Sequence, residues 1–103
     1  GLMATGKIVV DEVVSPGTVR AGGATYVLRG MPDVEEDVSR FAEARELVAR
    51  VLEGSELSYE EDTAKELPDL PGIEIEALAS DGTAIMPGLA ARVAGVLAGF
   101  PLQ

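Results

Sequence analysis

All of the excess negative charge in this chain lies in one stretch. Between residues 33 and 76 fifteen carboxylates face four cations, while the segments on either side are nearly neutral and rich in Val, Ile, Leu and Ala. An acidic block of this density cannot be buried, because an unpaired carboxylate loses its hydration on leaving water. The core must therefore come from the two flanks and from apolar positions spaced within the block. Hydrophobic residues make up 47% of the 103 residues but aromatics only 4%, so that core is aliphatic. A chain of this length is the common size of one domain and buries roughly 60–70% of its unfolded surface. We expect a single domain over 1–103, with Gly1 and Leu2 ahead of Met3 read as a cloning remnant.

The residue types that are missing exclude most familiar chemistry. His, Cys and Trp are absent, and so is Asn. Without His or Cys there is no Ser-His-Asp triad, no thiol nucleophile, no disulfide and no structural zinc site. No phosphate-binding glycine motif leads into a helix, and Gly17, Gly22 and Gly23 around Arg20 read as turn residues. No cofactor is expected. A formal charge of −10 with no basic stripe argues against nucleic acid. The dense carboxylates Glu56, Glu60, Glu61, Asp62 and Glu66 lack the spacing of a calcium loop and read as a solvated face, so no metal is expected.

The N-terminal flank carries strand signals. Lys7–Val14 is rich in β-branched residues and stops at Ser15-Pro16-Gly17; Thr18–Arg20 and Ala24–Arg29 follow, separated by Gly22-Gly23. A hairpin or three-strand meander is the simplest reading. Asp33 with Glu36 three residues later resembles a capping box, and apolar residues from Val34 to Leu52 recur at helical spacing until Gly54. Glu36 with Arg40 and Glu46 with Arg50 fall four apart, acid first. Ser58-Tyr59-Glu60-Glu61 reads as a second, shorter helix ending before Pro68. Ile73–Ala79 reads as a strand, Ser80-Asp81-Gly82 as a turn, and Thr83–Met86 as a short returning strand. Pro87–Gly99 reads as an apolar helix. Pro87 and Pro101 limit it to about 13 residues, or roughly 20 Å, short of the about 30 Å of a bilayer core. No membrane span is expected. No basic, apolar leader follows Met3, so a cytoplasmic protein is expected. The expected fold is α+β: a small antiparallel sheet with two main helices packed on one face, in the order ββ(β)-α-α-β(β)-α.

Three sets of residues are candidates for function. Glu35, Glu36, Glu43, Glu46 and Glu53 form an acidic face that would steer a basic protein partner. Leu89, Ala91, Gly95, Leu97 and Gly99, on the apolar C-terminal helix, offer a self-association surface, with a small-residue row at Ala91, Gly95 and Gly99. Asp11, Glu12, Tyr26 and Arg29 would meet on one face of a hairpin and bind a small ligand. The depleted catalytic inventory favours a non-catalytic acidic protein-interaction or assembly domain, homo-oligomeric if the last helix pairs. The alternatives are an immunity- or inhibitor-type module masking a basic partner with residues 33–66, and a small ligand-binding domain or carboxylate-dependent enzyme.

Overall fold

The computed structural model describes residues 4–70 and 72–100. Gly1, Leu2, Met3 and Pro101, each given a role above, lie outside the described residues. The fold is α+β, as expected, but the strands form two sheets. Strands β1 (Thr5–Val9), β5 (Glu56–Glu60) and β8 (Leu78–Ala79) make a three-stranded antiparallel sheet in the order β1-β5-β8. Strands β2 (Glu12–Ser15), β3 (Thr18–Ala21), β4 (Ala24–Leu28), β7 (Ile73–Ile75) and β6 (Lys65–Glu66) make a five-stranded mixed sheet in the order β2-β3-β4-β7-β6. Helices α1 (Phe41–Leu52) and α2 (Met86–Leu97) complete it. β2, β3 and β4 are the expected meander, and β4 then pairs with β7 in parallel.

The run read as one strand from Lys7 to Val14 divides between the two sheets. Ile8 and Val10 are buried, and so is Val13, which shifts the inward parity by one residue at Asp11-Glu12. A strand cannot change parity without leaving its sheet or bulging. Here it changes sheet.

α1 packs against α2 and β2 and closes the core with Ala44, Leu47, Val48 and Leu52. From α2, Met86, Leu89, Val93 and Val96 point inward at helical spacing. Between them lie Val13, Val19, Leu28 and Ile75 from the larger sheet and Ile8 and Leu57 from the smaller, so both sheets share one aliphatic core. Ser58 is the one buried polar side chain among the described residues. Its hydroxyl donates to the Ala79 carbonyl at 2.7 Å, which satisfies it.

The run from Ile73 to Ala79, read as one strand, likewise divides between the sheets as β7 and β8, and three further expectations are corrected. The first helix begins at Phe41, eight residues after Asp33. The Asp33 carboxylate instead accepts the Gly17 amide and the Thr18 hydroxyl, and Arg40 sits in the left-handed region at φ 69°, which interrupts any helix propagating through it. With residues 34–40 irregular, the Glu36–Arg40 pair does not form; Arg40 pairs with Glu43 at 2.7 Å, while Glu46 and Arg50 do pair, at 3.3 Å. The second helix over 58–67 is absent. That segment is β5, a turn of 3-10 helix at Glu61–Thr63, and β6. Pairing with β1 on one side and β8 on the other outweighs the local helical signal, because a central strand satisfies two sets of backbone groups. Finally, Thr83–Met86 forms no strand. The Ala79 amide donates to the Thr83 carbonyl, closing a turn, and α2 starts at Met86.

Candidate functional site

Four carboxylates of the acidic block, Asp33, Glu35, Glu36 and Glu43, rim a surface with an apolar floor. Asp33 anchors this region. Its Oδ1 accepts the amides of Gly17 (2.9 Å) and Val34 (3.1 Å), and its Oδ2 accepts the Thr18 hydroxyl (2.8 Å). The loop between β4 and α1 is thus tied to the β2–β3 turn. Val14, Val34, Phe41 and Leu70 line one depression of about 430 Å³ there, together with Asp33, Glu35 and Glu36. A neighbouring depression of about 560 Å³ is lined by Val38, Phe41 and Ala42 with Glu36, Arg40, Glu43 and Arg45. The two share Glu36 and Phe41. Val14, Val38 and Leu70 are 44%, 42% and 63% exposed, three of the six large apolar side chains most open to water among the described residues. Water is a poor neighbour for such a cluster, which is the usual mark of a contact surface.

The charges around this floor are unequally matched. Arg40 is held by Glu43, and one Arg45 N–H donates to the Val13 carbonyl at 3.2 Å. Glu35 and Glu36 have no ion-pair partner among the described residues. Of the acidic face, Glu46 lies with Arg50 further along α1. Glu53, just past its end, faces the sheet: its Oε2 accepts the Val13 amide at 2.9 Å. The five acids therefore have different roles. Glu35, Glu36 and Glu43 line the depressions, Glu46 pairs locally, and Glu53 covers the outer edge of β2.

The hairpin set is not brought together. Glu12 lies opposite Arg20, and Arg20 opposite Thr25, whereas Tyr26 belongs to the adjacent row with Val19 and Val13. Adjacent rows point to opposite faces of a sheet. Asp11 accepts the Gly22 amide at 2.9 Å and so closes the β3–β4 turn. Tyr26 leans on Tyr59, with ring centroids 6.3 Å apart and planes tilted by 51°. Arg29 donates to Glu74 and to the Thr63 carbonyl, both at 2.8 Å, and lies 3.9 Å from Glu76. Arg29 borders a cavity of about 410 Å³ with Glu76, Leu78, Ala84 and Met86, which neither Asp11 nor Glu12 lines.

The self-association row is divided in the same way. Leu89 is buried in the chain's own core, and Gly95 and Leu97 are half-buried, with the Phe100 ring 3.9 Å from where a Gly95 Cβ would stand. Ala91 and Gly99 are exposed.

No Asp or Glu is buried among the described residues. No group of three or more potential ligands converges on a metal position among the described residues. No described helix is long and apolar enough to cross a membrane. Sequence reasoning missed Val14, Val38 and Leu70 as surface residues. Val38 falls within the helically spaced run of a helix that starts only at Phe41, and Leu70 carries no sequence signal of its own. Comparison with protein-family models, with curated proteins and with solved structures found no match to this chain.

Proposed function

We propose that this chain is a non-catalytic interaction domain that receives a basic, partly apolar segment of another protein at the start of α1. The observation that carries this reading is the pair of depressions joined at Glu36 and Phe41, with an apolar floor and a rim on which Glu35 and Glu36 are unmatched. Apolar contact would supply the affinity and the rim the steering and register, the usual division of labour at interfaces. The net charge of −10 adds a long-range attraction for any cationic partner. A partner of this kind also fits the immunity- or inhibitor-type alternative, in which the masked protein is basic.

The test uses a synthetic amphipathic peptide with leucines at helical spacing and lysines on its other face. Its binding to the wild-type chain should be saturable and should weaken steeply as salt rises. Glu35→Lys with Glu36→Lys should weaken it at least tenfold, and so should Val38→Asp. All these positions are exposed, so the variants retain the fold. Equal binding by the charge-reversed chain, or binding insensitive to salt, overturns the proposal.

A further inference from the structure

The outer edge of β1 is an unused pairing surface. In the β1–β5 ladder the Val10 amide donates to the Ser55 carbonyl and the Ala4 carbonyl accepts the Glu61 amide, both at 3.0 Å. Antiparallel pairing alternates residue by residue between groups turned toward the partner strand and groups turned away. Ala4, Gly6, Ile8 and Val10 therefore bond to the β5 side, and the backbone N–H and C=O of Thr5, Lys7 and Val9 face outward. No strand lies beyond β1 among the described residues. The larger sheet treats its comparable edge differently: Glu53 takes the Val13 amide and Arg45 reaches the Val13 carbonyl. β6 and β8, at the other two edges, are two residues long. Among the described residues β1 is thus the one open edge of useful length, and edges of that kind are ordinarily blunted or used.

We propose that β1 accepts an extended, positively charged segment of a partner protein as an added strand. A strand laid antiparallel along Thr5–Val9 would make main-chain bonds to all three outward residues, the basis of affinity in strand addition. A second copy is a poor occupant. The self-pairing that uses all three residues sets Lys7 against Lys7, and each copy carries −10. Lys7 is already matched by Glu56 at 3.7 Å, and Glu60, opposite Thr5, has no ion-pair partner among the described residues. The charge left over beside this edge is negative, which fits a cationic strand. Val9, 51% exposed, offers it an apolar contact.

The experiment follows backbone amides by NMR while a seven-residue peptide alternating Val and Lys is added to the full chain. The amides of Thr5, Lys7 and Val9 should shift and gain exchange protection, with smaller changes at Gly6 and Ile8. Lys7→Pro removes an outward N–H without touching a β5 bond and should weaken binding at least tenfold. If that variant loses the native spectrum, Thr5→Pro at the first strand residue tests the same point. A control peptide alternating Val and Glu should bind at least tenfold more weakly. Equal binding of the two peptides overturns the choice of a cationic partner. Undiminished binding by the proline variants, or shifts confined to residues 33–46, overturns the edge itself. A concentration-dependent dimer in sedimentation would make a second copy the occupant and overturn the proposed one.

Discussion

The carboxylate of Asp33 accepts the backbone amide of Gly17 at 2.9 Å, joining the loop before α1 to a β-turn 16 residues earlier. That turn has no room for a larger residue, since a Cβ on Gly17 would stand 2.8 Å from the Asp33 Cβ. Asp33→Ala removes the acceptor for the Gly17 and Val34 amides and the Thr18 hydroxyl, and should cost about 1–2 kcal/mol in urea denaturation. Asp33→Asn keeps one carbonyl acceptor and should cost less. If the loop is the floor of the binding face, Asp33→Ala should also weaken binding of the basic amphipathic peptide, although no peptide need touch Asp33.

Gly6 is required by Tyr59. A Cβ at residue 6 would lie 2.4 Å from the Tyr59 Cζ and 2.7 Å from its hydroxyl oxygen. The Tyr59 ring must swing aside, which disturbs its contact with Tyr26, so Gly6→Ala should destabilise by about 1–3 kcal/mol. In a Tyr59→Leu background that cost should fall by more than half. A double-mutant cycle measured by thermal or chemical unfolding checks it.

Burial holds the Tyr59 hydroxyl above its ordinary pKa of 10.0, with the neighbouring Tyr26 and the negative charge of Glu61 acting in the same direction. The native state thus keeps this proton more tightly than the unfolded chain does. The resulting stability is present in full below pH 10 and is lost as the pH rises through the higher native value. Unfolding free energy measured above pH 10 should therefore fall more steeply with pH in the wild type than in Tyr59→Phe.

Glu53 covers the outer edge of β2, where its carboxylate accepts the Val13 amide. Glu53→Ala leaves the amide of fully buried Val13 without its acceptor and should cost about 1–3 kcal/mol. Glu53→Gln retains an oxygen at that place and should cost less. Peptide binding at the loop before α1 should be unchanged by Glu53→Gln. If it falls as much as in Glu36→Lys, the division among the five acids is wrong.

The chain's class and its clearest segments were legible because their signals are local. Gly22-Gly23 separates β3 from β4, Pro87 opens α2, and the valines and leucines of α1 recur at helical spacing. The errors came where distant residues decide. Asp33 and Glu36 carry a helix-start pattern, yet Gly17 and Thr18 claim Asp33, and only the fold brings them to it. Ser58–Glu61 reads as the start of a helix until β1 and β8 are known to flank it. One clue to the division of the first strand was available: the inward valines change parity between Val10 and Val13, a slip that marks a change of sheet. The candidate site was half legible. Its acids stood out by density, but its floor joins Val14, Phe41 and Leu70 from segments with no sequence signal in common.

The order in which strands enter the two sheets governs how the molecule can open. The smaller sheet takes β1, β5 and β8, and the larger takes β2, β3, β4, β6 and β7. Any division of the chain between residues 30 and 72 leaves strands of both sheets on each side. No fragment produced by such a division carries a complete sheet. The slowest-exchanging amides of β4, β5 and β7 should accordingly report a single opening free energy under native conditions. A protein without cysteine and with few aromatic residues obtains in this way an all-or-none character from the path of its backbone.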